Sequence, residues 1–169
     1  MKNKDFKQML FKGAFSVMAC DGEVHETEIA EMKEMLSNSP YFEGLDHVAE
    51  LEAAFDDVKV NGSKSIERFL TTLENANLNE RQEFQLIEVL CRIVMADSKV
   101  DDSELHFLHN VKTKLKKFTD VKIIINFPRH VDLLIDIGHF EGQSLREGLE
   151  NINFEALDNL TISEGMNKK

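Results

Sequence analysis

Val17-Met18-Ala19-Cys20-Asp21-Gly22-Glu23-Val24-His25-Glu26-Thr27-Glu28-Ile29 aligns without a gap on Ile93-Val94-Met95-Ala96-Asp97-Ser98-Lys99-Val100-Asp101-Asp102-Ser103-Glu104-Leu105. The offset is 76 throughout, from Asp21 to Asp97 and from Glu28 to Glu104. The apolar register continues upstream, where Phe11, Ala14, Val17 and Met18 answer to Ile87, Leu90, Ile93 and Val94. Downstream, Ile29, Met32 and Met35 answer to Leu105, Leu108 and Val111. Two unrelated helical hairpins would share apolar spacing, but not both acids and the valine between them. The chain is read as a duplicated unit.

Each unit predicts a helix, a short acidic turn and a second helix. Phe6, Leu10, Phe11, Ala14 and Val17 recur at three- and four-residue spacing before the first turn, as do Phe84, Ile87, Leu90 and Ile93 before the second. Asp101 with Glu104 predicts an N-cap and capping-box pair, and Lys112, Lys114, Lys116 and Lys117 suit that helix's carboxyl end. His25 takes the Asp101 position in the first unit, which predicts a weaker cap there. Between the units the reading is a loop through Asn38-Ser39-Pro40, helices over about 46–58 and 65–75, a turn at Asn61-Gly62 and an N-cap at Asn79. The β-branched run from Val121 to Phe127 is read as connector and the stretch from Arg129 to Ile137 as helix, because no second strand-like run is there to pair with. Leu145, Leu149, Ile152, Phe154, Leu157 and Leu160 predict a last helix.

Eight Gly and two Pro in 169 residues are too few for the tight turns of an all-β sandwich. Acidic residues outnumber basic ones 31 to 20, so the net charge of -11 repels nucleic acid and anionic bilayers and favours cations or basic surfaces. Cys20 and Cys91 sit in apolar runs outside any CxxC spacing, which predicts buried free thiols in a reducing compartment. No run reaches the roughly 18 apolar residues of a membrane span, and the start lacks a continuous apolar signal region. The chain is expected to be soluble and cytoplasmic, with no direct membrane insertion.

Asp21-Gly22-Glu23-Val24 followed by Glu28 overlaps the second half of a calcium EF-hand loop. The first half is missing: Val17 and Ala19, and Ile93 and Met95 in the second unit, stand where oxygen donors belong. A looser carboxylate site built from Asp21, Glu28, Asp97 and Glu104 survives, holding Ca²⁺ or another divalent cation weakly. Lys99 removes charge from the second half, so the first should respond first. The same acids also have a structural reading. Glu28 and Glu104 lie in a first helical turn, where the dipole favours a carboxylate that closes back on backbone amides. Asp21 and Asp97 follow a helix end whose dipole opposes them, so each needs a donor or a cation. His106 and His109 read as solvent-facing, the seven methionines as packing and the Lys112 to Lys122 cluster as a solvated helix end. No nucleophile elbow, phosphate loop or dinucleotide fingerprint occurs, which argues against an enzyme.

At the paired turns the sequence resembles the tellurite-resistance protein TerB family, whose superfamily includes the N-terminal part of DjlA-type membrane-anchored co-chaperones. Ala19-Cys20-Asp21-Gly22-Glu23-Val24 with Glu28 carries the signature well. Met95-Ala96-Asp97-Ser98-Lys99-Val100 with Glu104 carries it with Ser98 for the glycine. The resemblance spans about residues 6–140. It implies an all-helical domain with the acidic turns brought near each other, stress resistance, metal sensing, and complexes at the inner face of the membrane.

These readings predict an all-α fold, a single domain of about seven or eight helices built from two pseudo-symmetric repeats. The domain is expected over 1–140, with repeats over 6–76 and 82–140, followed by a helical extension over 141–164 and a frayed tail over 165–169. The expected function is a non-enzymatic, cation-responsive binding or scaffold protein of the tellurite and chemical-stress type, with a protein partner that can be membrane-associated. The alternative is a co-chaperone-like adaptor whose acidic face docks a basic partner without any ion.

Overall fold

A computed structural model describes residues 2–96, 99–135 and 161–162 of the chain. It is all-α, with eight helices among the described residues: α1 Asn3–Ala19, α2 Glu26–Asn38, α3 His47–Asn61, α4 Ser63–Asn75, α5 Glu80–Val94, α6 Asp102–Lys114, α7 Asp120–Asn126 and α8 Val131–Leu134. α1 is the axis. Its side chains from Met9 onward are buried almost all round, including Leu10, Phe11, Ala14, Phe15, Val17 and Met18, because α3, α4, α5 and α6 all pack on it. Helices apolar on every side belong in a core rather than at a surface. The opening helices of the two repeats, α1 and α5, make the most extensive contact in the fold, and α2 packs on α5 while α6 packs on α1. The hairpins therefore share one core, as the duplication predicts.

Local chemistry fixes the ends. Asp46 Oδ1 accepts the Ala49 N–H at 3.1 Å and opens α3, and Gly62 ends it. Asn79 and Gln82 exchange bonds of 2.8 and 3.0 Å in a reciprocal capping box at the start of α5. After α2, Ser39 Oγ takes the Tyr41 N–H and Pro40 opens a single 3-10 turn, Pro40–Phe42. That turn sets Phe42 edge-on to Phe11, ring centroids 6.3 Å apart. α4 lies close to α1 because residue 13 is glycine: a Cβ there would come 2.9 Å from Phe69 Cζ, and Phe69 stacks in turn on Phe107 of α6. The buried Glu83 carboxylate of α5 receives the N–H groups of Lys116 and Lys117 at 2.9 and 2.8 Å, tying down the loop that leaves α6. Arg92 of α5 pairs with Glu31 of α2 at 2.7 Å, a polar link between the repeats.

Two regions differ from the sequence reading. Residues 120–126 are helical despite Val121, Ile123, Ile124 and Ile125, because Thr119 caps the helix, Ile123 is fully buried, and Phe127 packs on Phe118 and Phe84. Burial on one face outweighs β-branched propensity. The expected C-terminal helical extension over 141–164 and the frayed tail over 165–169 lie outside the described residues, save one pair. Thr161–Ile162 is extended, not helical, and forms strand β2 in parallel with Glu23–Val24, strand β1, inside the first acidic turn. The open backbone of that turn supplies a pairing edge, which helical spacing in the tail does not reveal.

Candidate functional site

α1 runs straight to the first turn, as the apolar residues before Asp21 require. The Gly22 N–H returns to the Ala19 carbonyl at 2.9 Å with Gly22 at φ 89°, a conformation that glycine adopts without a Cβ penalty. Asp21 Oδ1 then accepts the Glu23 N–H at 2.9 Å, and Oδ2 lies 3.5 Å from His25 Nε2. Asp21 thus has the compensating donors that a carboxylate after a helix end needs. Val24 is fully buried, and His25 takes the N-cap position of α2.

Glu28 and Glu104 do what the structural reading expects. Glu28 Oε2 accepts the His25 N–H at 3.1 Å, and Glu104 Oε2 accepts the Asp101 N–H at 3.0 Å. His25 at the N-cap does not prevent the first of these return bonds. Both carboxylates are nevertheless almost completely buried, at 1% and 3% exposure. They face each other across the repeats, as the resemblance implied for the two turns; that the pair would be buried was not foreseen. Asp21 likewise faces Asp101.

Four acids so close cannot all carry charge without cost. Burial, and then the contact with Glu104, push Glu28 up to about 9, only partly opposed by the His25 N–H. Burial also raises Glu104, while the Glu28 contact and the Asp101 N–H pull it down. Both members of the buried pair are thus raised, and together they keep a proton that two separate carboxylates would release. Asp21 is raised by burial, lowered by the Glu23 N–H and raised again by Asp101. Beneath the cluster, burial and the charges of Glu104, Asp21, Glu28 and Asp101 push the Cys20 thiol far up, while Cys91 rises to about 12 by burial. Both are free, buried and protonated.

Of the predicted ligands, Asp21, Glu28 and Glu104 come together, and Asp97 lies outside the described residues. The grouping that best fits a cation was not among the sequence candidates: Asp21, His25 and Asp101 each offer a ligand atom, all within 4.8 Å of one another. A signal for it was present. His25 and Asp101 occupy the same position of the repeat, and both residue types can ligate.

His106 is buried at 6% exposure and His109 half-buried with Nε2 3.0 Å from the Leu133 carbonyl, so neither faces solvent as expected; α8 packs against this side of α6. The lysines from the last turn of α6 onward are also more engaged than a solvated helix end: Lys112 pairs with Asp120, Lys114 with Glu74 and Lys122 with Glu80. No described helix is long and apolar enough to cross a membrane. A family model described as Tellurite resistance protein TerB matches residues 10–118. No curated protein and no solved structure matches the chain.

Proposed function

Because the chain belongs to the TerB family and so carries a domain of tellurite-resistance type, we propose that it is a non-enzymatic, cation-responsive binding module whose ion seat is the acidic junction between its repeats. Asp21 and Asp101 are the principal ligands, Glu28 and Glu104 form the carboxylate floor, and His25 closes one side. Asp97, the repeat counterpart of Asp21, joins them on the sequence alone. The observation that carries this reading is the mutual approach of the Asp21, His25 and Asp101 ligand atoms to within 4.8 Å. Carboxylates suit hard cations, and four of them against one imidazole favour Ca²⁺. An imidazole that stays in place would instead favour Mn²⁺ or Zn²⁺. Too few oxygens converge to fill a Ca²⁺ shell of six to eight, so water and backbone carbonyls complete it and the affinity is weak.

An ion here would neutralise acids that now crowd one another, draw the two turns together and change the acidic surface seen by a protein partner. We read that partner, which can be membrane-associated, as the effector, and the chain as cytoplasmic on account of its free thiols. Titrating Ca²⁺, and separately Zn²⁺, into ¹⁵N-labelled protein tests the reading. Amides of residues 21–28 and 101–104 should move together with one midpoint, since both turns feed one site, rather than the first turn leading. If millimolar cation moves neither turn, the acids are structural. Capture of a partner that survives chelation would then favour the ion-free adaptor.

A further inference from the structure

Among the described residues of this helical protein the pairing of β1 with β2 is the one strand interaction, and it falls inside the candidate ion loop. Glu23 pairs with Thr161 and Val24 with Ile162, in parallel. Asp21 precedes this edge by two residues and His25 follows it directly, so two of the three closest ligand groups flank it. The Glu23 N–H is held by Asp21 Oδ1 at 2.9 Å, so the carboxylate that would grip an ion also sets the backbone of the strand. An ion held by Asp21 and His25 clamps both ends of the edge.

Resting on the cation reading, we propose that Thr161–Ile162 is a regulatory strand for that site: ion binding and the docking of this strand on Glu23–Val24 stabilise each other. Residues 21–25 must be ordered for either event, and whichever comes first bears the conformational entropy of ordering them. The second event then proceeds on a fixed template. A two-residue pairing is marginal alone, so a modest contribution from the ion is enough to shift its occupancy. Linkage makes the effect reciprocal, and loss of the strand weakens the ion by the same factor as loss of the ion weakens the strand. β2 lies beyond the span matched by the family model, so this control belongs to the chain's own C-terminal part. An undocked strand would also leave the Glu23–Val24 edge open to an extended peptide from a partner.

The test uses the full chain and Ca²⁺, or Zn²⁺ if the wild type selects it, with affinity read on the Asp101 and Glu104 amides, away from the strand. Thr161→Pro with Ile162→Pro removes both N–H groups, whereas Thr161→Ala with Ile162→Ala keeps them. The proline pair should bind the cation about three- to tenfold more weakly, toward the low end of typical couplings, and the alanine pair within about twofold of wild type. In the wild type, cation should also slow amide exchange at Val24, His25 and Ile162, a measurement that stands whether or not the proline chain folds. Equal affinity in the proline pair and wild type, or unchanged exchange, overturns the inference while the cation reading stands. A wild type that binds neither cation removes the reading and the inference together.

Discussion

The two acidic turns share one sequence pattern at a constant offset of 76, yet they contribute different residues to the junction between them. The first offers Asp21, just after α1, and His25 at the N-cap of α2. The second offers Asp101, the repeat counterpart of His25, at the N-cap of α6. Only the glutamates meet as equivalents, Glu28 against Glu104. The shared pattern sets which positions carry acids, whereas the packing of α1 on α5 sets which acids touch. The first turn also has Gly22 at positive φ and the β1–β2 pairing, so one half of the site has acquired a backbone device of its own.

The pair of equivalents gives the largest expected effect. Unfolded, Glu28 titrates at its ordinary 4.5; folded, it titrates at about 9. Below about 4.5 both states hold the proton, and between the two values only the folded chain keeps it, so stability falls as pH rises through that window and the loss is complete above it. Melting temperature should therefore decline from about pH 5 to about pH 9. Glu28→Gln, which donates to Glu104 as the protonated acid does, should flatten that decline; an equally steep profile in the variant would dissolve the shared-proton pair. Next comes the non-equivalent pair. Asp21→Asn and Asp101→Asn should each lower cation affinity about tenfold or more with little change in melting, and a variant that unfolds instead would mark the carboxyl as purely structural. Gly22→Ala should cost about 1–2 kcal/mol in chemical denaturation, against less than about 0.5 kcal/mol for the exposed Lys99→Ala in the other turn. The smallest effect is His25→Asp, which makes the first turn like the second and should tighten Ca²⁺ by about two- to fivefold through added ligand charge. Unchanged affinity there would mean that the imidazole already stands aside.

Much of this was legible in the residues. Helical periodicity located α1, α2, α5 and α6, and Asp46, Gly62 and Asn79 marked ends through side-chain and backbone chemistry that acts over three or four residues. The return bonds of Glu28 and Glu104 are equally local, and both were expected. What stayed illegible depends on contacts between distant segments. Asp101 was read as the cap that it is, but its approach to Asp21 could not be read, because Asp21 stands in the other repeat. Thr161 and Ile162 looked like the end of a helix because a strand pairing with residues 23 and 24 leaves no mark in the tail's spacing. The β-branched run at Val121 misled for a related reason, since its fate was decided by Phe118, Phe127 and Phe84 rather than by propensity.

The place of α1 at the centre of the fold has a consequence for biosynthesis. Its main partner α5 ends at Val94, about 75 residues after α1 ends at Ala19. At about 5–20 residues per second, roughly 4–15 s pass during which α1 has been made without α5, the helix it contacts most. Neither repeat can complete its core while the other is unmade, so the newborn first half is the stage at which this chain most needs a chaperone.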